Sequence, residues 1–189
     1  MNVPLTHAAE GLERRAFTVK DVIRMVEMGV LGRDERFELI GGEIVPMSPK
    51  GIHHERLKIW LNRLIIKALP DAIELAPETT FYLSDDTFIE PDFVLYPAES
   101  GLENLSPETV RLAIEIADSS LGYDLGRKAE LYAEFGIHEL WVINARTLEA
   151  TVHRQPAKGG YGDVSRLEAG APLEPGEVAG LSVNMRDYS

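Results

Sequence analysis

The run RLAIEIA at residues 111–117 alternates with a period of two. Read as a strand, it sends Leu112, Ile114 and Ile116 to one face, with Val110 ahead of them. The other face receives Arg111, Ala113, Glu115 and Ala117. A carboxylate in mid-strand between two alanines has open space beside it, where a solvent-facing strand more often carries Thr, Lys or Gln. Two readings of Glu115 follow from the residues: an exposed side chain on an edge strand, or a carboxylate at the floor of a cleft. Upstream, EPDFVLY (90–96) is a second apolar strand. Pro91 sets its entry angle without donating a ladder hydrogen bond, and Asp92 follows directly. Two carboxylates on neighbouring strands repel unless a cation or a shared proton intervenes. Oxygen ligands of this kind suit Mg²⁺ or Mn²⁺.

Downstream of Glu115, Asp124 is placed to cap a helix over Leu125–Phe135, closed by Gly136. Lys128 lies on it, four residues from Asp124 and four from Tyr132. Its side chain has two open roles: a surface ion pair with Asp124, or an ammonium reaching over the strand ends to an oxyanion or a water. Tyr132, on the same face, could hydrogen-bond a site carboxylate or simply pack in the core.

Toward the N-terminus, FTVKDVIRMVEMGV (17–30) reads as a helix capped by Thr18 and ended by Gly32. RFELIGGEIVPM (36–47) is a hairpin turning at Gly41-Gly42, both of which tolerate positive φ. A long helix is expected from Ile52 to Leu69, with Leu57, Leu61, Leu64 and Ala68 on one face. Ile73–Leu83 and Phe88–Tyr96 read as two strands paired through the turn at Ser84–Thr87. Further strands are expected at Glu139–Asn144 and Glu149–Gln155, and after Pro156 loops with one or two edge strands. The sum is an α/β chain of mixed type, a central mixed sheet flanked by helices with an N-terminal helix and β-hairpin. Residues 1–16 are expected as a flexible extension and 17–189 as a single domain.

The 189 residues carry 19 Lys and Arg against 31 Asp and Glu, a net charge of −12. That opposes long-range attraction to nucleic acid, yet a local basic rim is still possible because exposed charges are screened within about 8 Å. Lys50, Arg56, Lys58, Arg63 and Arg127 are candidates for such a rim, or an ordinary solvated surface. Without cysteine there is no disulfide and no thiolate metal site. The N-terminus lacks an apolar signal region and no apolar run approaches the roughly 20 residues of a membrane span, so a cytoplasmic setting is expected.

In combination, ELIGGEIVPMSP (38–49), His54 with Trp60-Leu61 beyond it, PDFV (91–94), EIADSS (115–120), YDLGRKAELY (123–132) and GIHELWVI (136–143) resemble the Uma-two (Uma2) family. That family, formerly a domain of unknown function, is placed with restriction endonucleases in the PD-(D/E)xK nuclease superfamily. The resemblance runs from about Phe17 nearly to the C-terminus. It implies a restriction-endonuclease-like fold with a four-stranded mixed core sheet, and Asp92 and Glu115 as metal ligands with the Ile116 backbone carbonyl. The superfamily's usual lysine position, two residues after the glutamate, is Ala117 here, whereas Lys128 matches the lysine that the family carries on its next helix. A lysine stem about 6 Å long can bring its charge to the same point. Ser119-Ser120 stands where the family has Ser-Pro, and Gly41 where it has Asp; neither removes a ligand. Glu43 matches a hairpin glutamate of the family and is either a third acidic group near the metal or a hairpin surface residue. His54, a capping or buried hydrogen-bonding residue by position, becomes on the resemblance a candidate phosphate contact or supporting group.

The resemblance therefore implies a Mg²⁺- or Mn²⁺-dependent endonuclease acting on DNA, with Asp92, Glu115 and Lys128 catalytic and Glu43, His54 and Tyr132 supporting. A homodimer is compatible with double-strand cutting. The acidic balance keeps two other readings open: an inactive nuclease-fold module that binds nucleic acid or protein, and a hydrolase of small phosphorylated substrates.

Overall fold

The structure is a computed structural model and describes residues 5–7 and 13–188. In chain order its elements begin with β1 (Leu5–His7), β2 (Glu13–Arg15), α1 (Val19–Glu27), β3 (Phe37–Ile40), β4 (Glu43–Pro46) and α2 (Ile52–Ala68). Next come β5 (Ile73–Pro77), β6 (Phe81–Ser84), β7 (Thr87–Ile89), β8 (Phe93–Pro97) and β9 (Leu112–Ala117). A broken helix follows, made of α3 (Leu121–Tyr123), a π-helical turn (Asp124–Lys128) and α4 (Ala129–Glu134). β10 (Glu139–Asn144), β11 (Ala150–Ala157), β12 (Gly160–Leu167), β13 (Pro172–Leu173) and β14 (Val183–Asn184) complete the order. No helix among the described residues is long and apolar enough to cross a membrane.

The chain forms two compact units, Met1–Pro49 with Thr80–Glu90, and Lys50–Thr79 with Pro91–Ser189. The first holds a four-stranded antiparallel sheet, β4-β3-β7-β6. Its hairpin turns on Gly41 and Gly42 with φ of 57° and 79°, as two residues between paired strands require. α1 starts on a reciprocal cap between Thr18 and Asp21. It stops at Gly29 (φ 72°), three residues before the expected Gly32, because the first glycine able to take the left-handed conformation ends the helix. Residues 1–4 and 8–12 of the expected extension lie outside the described residues, while β1 and β2 pair antiparallel.

The second unit holds a six-stranded mixed sheet, β12-β11-β10-β9-β8-β5, parallel only between β9 and β10. The expected four-stranded core is present as β5-β8-β9-β10 and is widened by β11 and by β12, an eight-residue strand from a stretch expected to be mostly loop. α2 packs on one sheet face. Its Leu57, Leu61 and Ile65 join Phe93, Leu95, Leu112, Ile114, Ile116 and Trp141 in the core. The buried stripe of α2 is His54, Leu57, Leu61 and Ile65, so the spacing drifts off the expected Leu64 and Ala68, the latter being exposed. Fully burying an aliphatic side chain contributes about 1.5–3 kcal/mol, so this cluster holds α2 on the sheet.

Both long strands expected before residue 97 are interrupted. Ile73–Leu83 breaks after Pro77, where Glu78 takes φ 47°, and Phe88–Tyr96 breaks at Glu90-Pro91-Asp92. Pro91 offers no N–H to a ladder, which accounts for the second break. The pieces separate into two sheets, β5 pairing β8 and β6 pairing β7.

Candidate active site

Strand register assembles the site. β8 and β9 are antiparallel with Phe93 opposite Ile114, so the next pair outward is Asp92 and Glu115. β5 and β8 end with Pro77 opposite Phe93, which brings Glu78 to the level of Asp92, and the Glu78 N–H donates to the Asp92 carbonyl at 3.2 Å. Three acidic residues therefore line up across three strands at one end of the sheet. The Asp92 side chain turns back toward β9, and its Oδ2 accepts the Ile116 N–H at 2.7 Å. The strand pairing stops here, and the carboxylate takes the hydrogen bond a β8 carbonyl would otherwise receive.

Asp92 and Glu78 have cationic partners, and Lys50 is shared between them. His54 Nε2 lies 2.9 Å from Asp92 Oδ1 and 3.0 Å from Oδ2, and Lys50 Nζ donates to Oδ1 at 2.9 Å. Burial alone would raise Asp92. The imidazole's hydrogen bond and charge, with the Lys50 ammonium, more than offset this and hold it at about 2. Lys50 also bonds Glu78 at 2.5 Å, and Lys58 reaches the same Glu78 oxygen at 3.0 Å. Burial would raise Glu78 as well, but these two ammoniums bring it below the usual carboxylate range.

Glu115 projects from the sheet face opposite the Leu112, Ile114 and Ile116 side chains, with Ala113 and Ala117 fully buried beside it. Lys128 Nζ approaches Glu115 Oε1 at 2.9 Å, and the Tyr132 hydroxyl donates to the same oxygen at 2.6 Å. Lys128 and Tyr132 are four residues apart, so the broken helix presents both to the strand from one face. Glu115 is buried, which decides between its two sequence readings in favour of an enclosed carboxylate. Likewise, Lys128 is a buried partner of Glu115.

Asp124 is no helix cap. The helix begins a turn earlier than expected, at Leu121, and Asp124 is buried within it, accepting the Ser120 hydroxyl at 2.5 Å. From Asp124 to Lys128 the helix widens into a π turn, a departure that recurs at functional sites in helices. Gly51 precedes α2, and a Cβ there would meet the Asp118 carboxylate, which in turn accepts Arg146 Nε at 2.6 Å.

The structure thus joins His54 to Asp92, and Lys128 and Tyr132 to Glu115. Lys50, a candidate for a basic rim or an ordinary solvated surface by sequence, touches Asp92 directly. Glu78 is a further member: counted straight back from the Ser84–Thr87 turn it would face Phe93, and a register shift between Tyr82 and Ser84 moves it to the level of Asp92. Glu43 lies exposed on β4 in the first unit. Among the described residues no cluster of three His, Cys, Asp or Glu side chains gathers as a ready metal cage.

The Uma2 family model, described as "putative restriction endonuclease", matches residues 21–186. The chain belongs to the Uma2 family. No curated protein matches this Uma2 chain. Among solved structures, it resembles a putative nuclease belonging to DUF820 from Anabaena variabilis, with a TM-score of 0.72 over 91% of this chain and 97% of that one. At 14% identity, that likeness establishes a common fold for the Uma2 chain, a mixed sheet with few helices.

Proposed function

We propose that this chain is a metal-dependent endonuclease hydrolysing DNA phosphodiester bonds at the Asp92–Glu115 end of the sheet. The observation that supports this reading best is the register that sets the two buried carboxylates on adjacent strands, with Lys128 held at Glu115. Their chemistry fits a hard cation, since Mg²⁺ binds through one or two carboxylates and completes its shell with water and phosphate oxygens. The Ile116 N–H faces Asp92, and in an extended strand the carbonyl of that residue opens to the same side, which favours it as a further oxygen. When bound, Mg²⁺ or Mn²⁺ supplies an acidified water and polarises the scissile phosphate.

The chain's own residues account for the remainder. Lys50 and His54 keep Asp92 ionised and fix its orientation. Tyr132 fixes Glu115. Lys128 brings a buried positive charge to where a phosphate gains negative charge, or orients the attacking water. In a plasmid-nicking assay with Mn²⁺ or Mg²⁺ the protein should cut, and Asp92→Ala should lose that activity. Undiminished cutting by Asp92→Ala would sink the assignment.

One observation favours the second reading, a nuclease-fold module without catalysis: Lys50 and Lys128 already neutralise the carboxylates that would hold a metal. Calorimetric titration with Mn²⁺ separates the two. Binding that Glu115→Ala abolishes supports the enzyme, and no binding at millimolar Mn²⁺ supports the module.

A further inference from the structure

Three residues in the first turns of α2 and one just ahead of it belong to a closed circuit of charges. His54 and Lys58 are four apart and share a helix face, with Glu55 three residues before Lys58. From Asp92 the circuit runs through His54 (2.9 Å) to Glu55 (3.3 Å) and Lys58 (2.9 Å). It continues through Glu78 (3.0 Å) to Lys50 (2.5 Å) and returns to Asp92 (2.9 Å). Acidic and basic groups alternate all the way round. On the Glu78 side two ammoniums, Lys50 Nζ and Lys58 Nζ, converge on one oxygen, Glu78 Oε1.

Two lysines aimed at one anionic oxygen suit a phosphate, which an ammonium binds as a point charge without the fixed fork of an arginine. Exposure separates the fixture from its occupant. The Lys50 and Lys58 side chains are 12% and 14% exposed, whereas Glu78 is 35% exposed. Burial would lower the Lys58 ammonium, but its bonds to Glu55 and Glu78 more than offset this and hold it above the ordinary lysine value. Glu78 stands at φ 47°, in the left-handed region, so its carboxylate is brought to the lysines at a backbone cost.

We propose that Lys50 and Lys58 form a binding site for an oxygen of a DNA backbone phosphate, and that Glu78 occupies this site until the phosphate displaces it. The ligand class rests on the proposed action on DNA, and the exchange of Glu78 for phosphate deepens that reading. The two enclosed ammoniums stay in place while the exposed carboxylate swings into water. Because Lys50 also touches Asp92, the phosphate so held lies beside the carboxylate assigned to the metal. A chain of net charge −12 thereby keeps these two positive groups paired until a competing anion arrives.

Anisotropy of a short fluorescent DNA duplex, titrated with the full chain in EDTA at low salt, reads this exchange without cleavage. Glu78→Gln should bind about fivefold more tightly than the parent, since two ion pairs no longer compete with the phosphate. In a chain that already carries Lys58→Met, the same change should gain about twofold or less, because half of the site is gone. Circular dichroism of the four chains should coincide, Glu78 and Lys58 both lying outside the apolar core. A Glu78 that repels DNA only through its charge would give the same gain in both backgrounds. One that only braces the fold would give no gain in either. Each of these results overturns the proposal, as does a duplex that neither the parent nor Glu78→Gln binds. Plasmid nicking with Mn²⁺ tests the endonuclease separately. Nicking by a parent whose Glu78→Gln form binds DNA no more tightly removes the phosphate site alone. The expected affinities without nicking remove the endonuclease and leave the phosphate site standing.

Discussion

Replacing Asp92 by Asn keeps the shape of the side chain and an oxygen for the Ile116 N–H, but removes the charge that faces Lys50 and His54. The carboxyl is held at about 2 in the folded chain against an ordinary 3.8. A carboxyl depressed by folding contributes stability that is present above 3.8 and lost as pH falls through about 2. Nearly two units at 1.36 kcal/mol each give roughly 2 kcal/mol at neutral pH, of which roughly half is gone by pH 3. Asp92 is almost entirely buried, so solvent screening takes little from this figure. Both tryptophans, Trp60 and Trp141, belong to the second unit, so their fluorescence in urea titrations reports on the unit that holds the site. Asp92→Asn should be less stable than the parent by about 2 kcal/mol at pH 7, with the gap narrowing to about 1 kcal/mol at pH 3. A gap that does not change between those two pH values would show that Asp92 is not held ionised by His54 and Lys50, and the electrostatic account of the site would fall.

Lys128→Met should cost about 3–5 kcal/mol, because it leaves Glu115 buried without that ammonium, and Tyr132→Phe about 1.5–3 kcal/mol; denaturant midpoints measure both. If Lys128→Met instead costs less than Tyr132→Phe, the ion pair is not the main support of Glu115. Gly51→Ala should lower the melting temperature by several degrees, because its Cβ must displace Asp118, at about 2–4 °C per kcal/mol in a chain of this size. Asp118→Ala in the same chain should recover part of that loss, and no recovery would rule out this contact as the cause.

The elements legible in the sequence were those with short-range causes. The Gly41-Gly42 hairpin, the Thr18 cap and the period-two faces of 111–117 depend on neighbouring residues, and they stand where local chemistry puts them. Glu115 was legible for the same reason, since two small neighbours mark the space beside it. Glu78 was not, because its place comes from a strand register set several residues away and from a φ that no local pattern announces. Lys50 was half legible: its charge was plain, but not that Gly51 and the start of α2 bring it to Asp92. Asp124 misled, since a carboxylate ahead of an apolar run looks like a cap whether or not the helix has begun a turn earlier. The length of β12 was hidden by its glycines and charges, which suit an edge strand exposed to water.

The π turn at Asp124–Lys128 has a consequence for helical phase. An α-helix turns about 100° for each residue, so one inserted residue rotates everything before it by roughly that angle against everything after it. Lys128 and Tyr132, at and beyond the turn, keep the phase that faces β9. Ser120 and Asp124, before and within it, are set by a different phase, one that a regular helix ending on the same Tyr132 would not give them. The winding of this one turn therefore sets the angle at which Lys128 and Tyr132 meet Glu115.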